Sequence, residues 1–143
     1  MSKNARIVLD ANILIRATFG KKAFGLLGKY EDNVEFYTPD YCVQEALVKI
    51  PEIAAKRHEN PDLAELFLVL IIKSVILVVD RSFYEEFEER ARERISSCDP
   101  DDWPIIATAM LLNAPIWTED RDFFGCGIAT WTSDKIEIYL RDA

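Results

Sequence analysis

The chain has 143 residues, enough for one domain, and half of them are hydrophobic, which supplies one core and excludes a disordered or collagen-like chain. Seventeen Lys and Arg against twenty-five Asp and Glu give a net charge of −8, the wrong sign for a generic nucleic-acid binder, because neutralising phosphates supplies most non-specific affinity. A site whose carboxylates hold divalent cations escapes part of that objection, since the ions reverse the local field.

The N-terminus, Met-Ser-Lys-Asn-Ala-Arg, leads into an apolar run too short for a signal-peptide core. Ile7-Val8-Leu9 is β-branched and apolar, stops at Asp10, and reads as a buried strand. Residues 13–30 carry one helical pattern, loosened by Gly20, Gly25 and Gly28. Residues 34–37 read as a second strand. Thr38 then looks like an N-cap with Pro39 at the first helical position, opening a helix through Glu45 to about Ile50. Asn60-Pro61-Asp62 opens another helix over 63–72, and 75–79 is a third buried strand.

Residues 82–94 form a charged helix with Phe83, Phe87 and Ala91 on one stripe, capped by Asp80. Asp99-Pro100 makes a turn. Pro104 is tolerated only in a first helical turn, so the next helix begins at Asp101 or Asp102 and runs to Asn113. Residues 114–118 are a fourth strand and 128–131 a fifth. Alternating strands and helices predict an α/β fold with a central parallel sheet. With no repeat or linker, 1–143 is a single domain. The longest apolar stretch, 66–79, is broken by Lys73 and Ser74 and falls short of the roughly 20 residues that span a bilayer. A soluble, cytoplasmic protein with no membrane partner is expected.

Cys42, Cys98 and Cys126 are odd in number and far apart. They fit a reducing cytosol and exclude a disulfide framework and a zinc site. The single histidine, His58, lies in a Lys-Arg-His-Glu-Asn run that reads as a solvated helix end. Ser-His-Asp and Cys-His chemistry would both need it.

The acids are more informative. Asp10 directly follows the first strand and Asp120 follows the fourth by two residues. In a doubly wound sheet the carboxyl ends of the strands form the ligand crevice, so both should face it. Asp102 starts the helix leading into the fourth strand, and Glu45 lies within the helix after the second. Several carboxylates around one point repel one another, and hard divalent cations prefer oxygen ligands, so magnesium or manganese is the natural counter-ion. Each acid has a plainer reading: Asp10 or Asp102 as helix caps, Asp120 and Asp122 as turn residues, Glu45 as an exposed helix position. The case rests on their joint placement.

Those motifs resemble the PIN-domain family. Residues 7–14, Ile-Val-Leu-Asp-Ala-Asn-Ile-Leu, resemble its opening motif; 102–109, Asp-Trp-Pro-Ile-Ile-Ala-Thr-Ala, its third; and 116–123, Ile-Trp-Thr-Glu-Asp-Arg-Asp-Phe, its fourth. Glu45 stands at the place of its second acid. The resemblance covers nearly the whole chain in order. It implies a parallel sheet with helices on both faces, metal binding by Asp10, Glu45, Asp102 and Asp120 with Asp122 as an auxiliary acid, and Asn12 and Thr118 as polar supports. It implies a metal-dependent ribonuclease, often a toxin of the VapC type held inactive by a small antitoxin. RNA is then the substrate, and a homodimer is also open. One cation would lower the pKa of a bound water, and a second would stabilise the leaving oxygen. Arg16 or Arg121 could clamp a phosphate, although solvated surface is the plainer reading of each.

Two rivals follow. A non-catalytic PIN-like module would only bind a partner. A phosphoryl-transfer enzyme also places acids after strands, but a dehalogenase-type phosphatase wants an aspartate where Asn12 stands, and a receiver wants an acid pair after the first strand and a lysine after the last.

Overall fold

Ile7, Val8 and Leu9 are fully buried, as a strand covered on both faces requires. They belong to β1 (Ala5–Leu9), the middle of a five-stranded sheet. The computed structural model describes residues 5–95 and 99–142. The N-terminal Met-Ser-Lys-Asn and Cys98 lie outside those residues. β2 (Val34–Pro39) and β3 (Ile76–Val79) continue the sheet on one side of β1; β4 (Ile116–Trp117) and β5 (Thr130–Trp131) continue it on the other. Every neighbouring pair is parallel.

Parallel neighbours need crossovers, and these are right-handed almost without exception. From β1 the chain steps outward to β2 through α1 (Ala11–Phe19) and α2 (Lys21–Tyr30). It reaches β3 through α3 (Asp40–Lys56) and α4 (Pro61–Val75). It then turns back past β1 through α5 (Arg81–Tyr84), α6 (Glu88–Arg94) and α7 (Trp103–Leu112) to β4. With one hand and two directions of travel, the two helix groups cover opposite faces. α7 lies against β1, β2 and β4, and its residues from Trp103 to Ala109 are all buried. Strand order reverses between β1 and β4.

Asn60 caps α4 through bonds from the Asp62 and Leu63 N–H groups, and Asp80 caps α5 through Ser82. Among the described residues no helix is long and apolar enough to cross a membrane.

Several boundaries differ from the sequence expectation. The pattern over 13–30 is two helices, because Gly20 is extended (φ −118°, ψ 158°) between them. Thr38 is not an N-cap. It is a strand residue whose buried hydroxyl donates to the Leu9 carbonyl at 2.8 Å, and α3 starts at Asp40 instead. There the Asp40 carboxylate accepts from Tyr41 N–H at 2.8 Å and the Tyr84 hydroxyl at 2.6 Å. α3 also runs through Pro51 to Lys56. The lost N–H is offset by Ile50 and Ala54, which are buried on either side of the proline.

β3 is an edge strand, not a buried one, with Leu77 49% and Val78 44% exposed. The charged helix breaks at a 3-10 turn, Glu85–Phe87; Phe83 points outward and Tyr84 is the core residue. α8 (Ile136–Arg141) escapes the sequence reading. Its Ile136 and Leu140, four residues apart, are buried, and Glu137 joins it to α2 through Lys29 and Tyr30.

The break at Gly20 is testable. A Cβ there would lie 2.9 Å from the Arg16 backbone oxygen, closer than real Cβ atoms approach. Gly20→Ala should therefore destabilise the protein by about 1 kcal/mol or more, a loss of roughly 3 °C in melting temperature. An unchanged melting curve would mean that the helix break is not needed.

Candidate metal centre

The reversal between β1 and β4 opens a crevice at the carboxyl ends of those strands. Asp10 leaves β1 into it. Its backbone N–H donates to the Trp117 carbonyl at 3.0 Å, so β1 and β4 stay paired up to the acid. The plain reading of Asp10 is partly right: it is the N-cap of α1, and its Oδ1 accepts from Ala11 N–H at 2.7 Å. Its Oδ2 does something else. It accepts from the Thr118 hydroxyl at 2.6 Å and from Asn12 Nδ2 at 3.0 Å.

Thr118 is the hub of this network and is fully buried. While donating to Asp10, its oxygen accepts from Asn12 Nδ2 at 3.1 Å and from Asp120 N–H at 3.0 Å. The Asn12 carbonyl closes the circuit by accepting from Glu119 N–H at 3.2 Å. Asp120 is thereby placed relative to Asp10 through a single hydroxyl. Its Oδ1 accepts from Asp122 N–H at 2.9 Å, capping the 3-10 turn Arg121–Phe123. Asp122 is exposed in that turn, and its backbone supports Asp120.

Asp102 is the N-cap of α7 by backbone position, yet its carboxylate makes no capping bond. Asp99 caps the preceding 3-10 turn, Pro100–Asp102. A cap reading therefore does not account for the Asp102 side chain. Glu45 is half-buried on α3 and pairs with Lys49, one turn on, at 3.7 Å. Among the described residues no salt bridge involves Asp10, Asp102 or Asp120.

Electrostatics tie the four acids together. Burial pushes the Asp10 carboxyl up; bonds from Thr118 and Ala11 draw it back, and the charges of Glu45 and Asp120 push it up again. Burial also raises Asp102, to about 7, helped by the charges of Asp10, Asp99, Glu45 and Asp120. Desolvation and like charge both disfavour a carboxylate. Two neighbours on α3, Cys42 and the Tyr41 that the sequence reading missed, feel the same field. Tyr41 is pushed up to about 12, by burial first and then by Glu45 and Asp102. The Cys42 thiol is raised by burial and by Asp10 and Glu45, so it stays a thiol. Tyr41 stands four residues before Glu45, a spacing that shares a helix face and was visible in the sequence. Glu119 had no such signal: its Oε1 accepts from Ser133 N–H at 2.7 Å, fourteen residues away.

The donor set is all carboxylate oxygen, which suits a hard cation such as magnesium or manganese. Among the described residues no three acidic, histidine or cysteine side chains are drawn close enough to form a ready cage. The acids share one field but stand apart.

A family model described as PIN domain matches residues 8–141 of the chain. No curated protein matches it. Among solved structures, VapBC2 from Rickettsia felis, bound to a DNA fragment from its promoter, superimposes with a TM-score of 0.71 at 13% identity, over 89% of this chain and 98% of that one. PAE2754 from Pyrobaculum aerophilum gives 0.72 at 16% identity, over 97% and 91%. A toxin–antitoxin complex from Klebsiella pneumoniae gives 0.65 at 22% identity, over 91% and 98%. At such identities the likeness is one of fold.

The raised carboxyl of Asp102 has a consequence for stability in chelator. Its folded value of about 7 lies above the unfolded value of about 3.9, so the native state holds the extra proton between them. Stability should then fall as pH rises through that window. Asp102→Asn removes the titrating group, so its melting temperature should decline less between pH 4 and 7 than that of the wild type. Two curves of equal slope would assign the decline to other residues.

Proposed function

Because the chain belongs to the PIN domain family, we propose that it is a metal-dependent endoribonuclease hydrolysing RNA phosphodiester bonds, the toxin of a toxin–antitoxin pair. One observation carries the reading. Asp10, Glu45, Asp102 and Asp120 come from separate segments of the chain, act on one another electrostatically at the switch point, and the first and last are tied together through Thr118. Nothing in the fold alone calls for that concentration of like charge.

Asp10, Asp102 and Asp120 would hold magnesium or manganese, with Glu45 as a further ligand or as the group that orients the attacking water. When bound, the ion supplies hydroxide at neutral pH and a Lewis acid at the phosphoryl oxygen. Asn12 and Thr118 contribute by fixing Asp10 and Asp120, leaving the second lone pair of Asp10 Oδ1 free as a donor. Asp122 acts one step away, through its backbone bond to Asp120.

The partner reading follows from charge. Asp10, Asp102 and Asp120 form no salt bridge with the described part of their own chain. A small antitoxin that inserts a basic segment into the crevice would supply one, and charge complementarity would favour it. The solved toxin–antitoxin complex from Klebsiella pneumoniae supports an antitoxin partner. The loose spacing of the acids favours the second reading, a non-catalytic PIN-like module; that reading predicts no cleavage at any manganese concentration.

Two measurements on one set of proteins decide. Manganese at 100 times its Kd should stabilise the wild type by about 2.7 kcal/mol, and the triple variant Asp10→Ala, Asp102→Ala, Asp120→Ala should lose that shift. Single-stranded RNA should be cut with manganese and not with EDTA. Asp10→Asn keeps the cap of α1, since Asn caps about as well as Asp, and it removes one like charge. Its Nδ2 would face the Thr118 hydroxyl and the Asn12 amide that now donate to Oδ2, so stability in EDTA should fall, offset in part by the lost repulsion, while cleavage collapses. Wild-type cleavage by that variant would falsify the catalytic role of Asp10.

A further inference from the structure

In a chain with a net charge of −8, cations gathered without matching acids mark a place where positive potential is kept. A cavity of about 400 Å³ where α1 meets α2 is such a place, lined by Arg16, Lys21, Lys22 and Arg57. Arg57 lies over the Phe19 ring, 5.3 Å from its centroid, and pairs with Glu59 at 3.3 Å. Lys22 lies within the field of Asp134, whose carboxyl it helps to lower. Among the described residues Arg16, Lys21 and Lys22 make no salt bridge. Acids near the cavity therefore offset only part of its charge. Gly20 gives α2 no side-chain cap, so the first N–H groups of that helix add to what the four cations already provide.

Bonded residues link the cavity to the acids. Ser133 lines it and donates its N–H to Glu119, the neighbour of Asp120. Its hydroxyl also accepts from the Trp117 indole at the end of β4, 3.1 Å away. On the other wall, Arg16 follows Asn12 by four residues of α1, the spacing that shares a helix face, and Asn12 is bonded to Asp10 and Thr118. From Asn12 to Gly20 is about 12 Å along the helix axis at 1.5 Å per residue, a distance that a few nucleotides of single strand cover.

We infer that this cavity binds a phosphate of the RNA strand, one displaced along the chain from the phosphate that sits at the acids. Guanidinium and ammonium groups around one hollow suit an anion with several acceptor oxygens. Potential focused there raises local affinity for phosphate despite the acidic whole. The inference rests on the nuclease reading for the identity of the polymer.

The test is binding of a labelled single-stranded RNA in EDTA, where nothing is cut, across a range of salt. Lys21→Ala, Lys22→Ala should weaken binding about tenfold or more, with a log–log salt slope shallower by about 0.7 for each phosphate no longer neutralised. Lys21→Arg, Lys22→Arg should bind like the wild type. Lys73→Ala, Arg90→Ala, which removes equal charge elsewhere, should also leave affinity nearly intact. In manganese the alanine pair should raise KM on the oligonucleotide and leave cleavage of a dinucleotide, too short to reach the cavity, unchanged. If the alanine pair binds and cuts the oligonucleotide like the wild type, the cavity assignment fails and the nuclease reading stands. If no protein in the set cuts any RNA, the nuclease reading fails, while a selective loss of binding in the alanine pair still supports the phosphate site. Loss of binding to a protein partner with RNA affinity intact would assign the cavity to an acidic segment of that partner and overturn the inference.

Discussion

The hydrogen bond from the Thr118 hydroxyl to Asp10 Oδ2, 2.6 Å long, is the contact on which the carboxyl end of the sheet depends. A carboxylate 7% exposed is costly unless it is bonded. Thr118 meets that need from the neighbouring strand and, with its lone pairs, takes N–H groups from Asn12 and Asp120 as well. One buried hydroxyl thus fixes how β1 and β4 end relative to each other. The same residue passes the constraint on, since its backbone N–H donates to the Trp131 carbonyl at the end of β5. Valine, its isostere without the hydroxyl, would leave every one of the side-chain bonds unmade.

The charge distribution follows from the same geometry. An acidic chain can spread its carboxylates over the surface, where solvent and salt screen them. Here four of them act on one another at a partly buried point, and burial first, then the neighbouring charges, raises the Asp102 carboxyl to about 7. Such an arrangement favours positive charge, and among the described residues Asp10, Asp102 and Asp120 form no salt bridge. On the proposed reading a cation and a basic partner segment would be competing ways to supply that charge. The cationic hollow beyond α1 is the complement: it holds positive potential close to, but apart from, the acids.

Where local chemistry and tertiary contact agreed, the chain was legible. Asn60 and Asp80 cap the helices that their side chains announce, and Pro104 falls in the first turn of α7, where its missing N–H is harmless. Where they disagreed, tertiary contact won. Thr38 before Pro39 has the chemistry of a cap, but the Leu9 carbonyl is within reach of its hydroxyl, so the strand continues. Leu77 and Val78 are as apolar as any core pair, yet β3 has a neighbour on one side only. Pattern reports what a residue prefers, and strand order decides whether a neighbour exists to cover it.

The sequence by itself determined the class of fold, because the strand–helix alternation and the apolar run before Asp10 admit few other layers. It also determined which acids end which strands. It did not determine how those acids are held. Whether Asp102 caps its helix or leaves its carboxylate uncommitted depends on Asp99 taking the preceding turn. Whether Glu119 is a spectator or a tie to Ser133 depends on a loop fourteen residues away. That Arg16, Lys22 and Arg57 meet around one hollow depends on the break at Gly20 and on α3 running past Pro51. Burial, repulsion and hydrogen bonding act through space, and residues far apart in the chain become neighbours only once the sheet has set their distances.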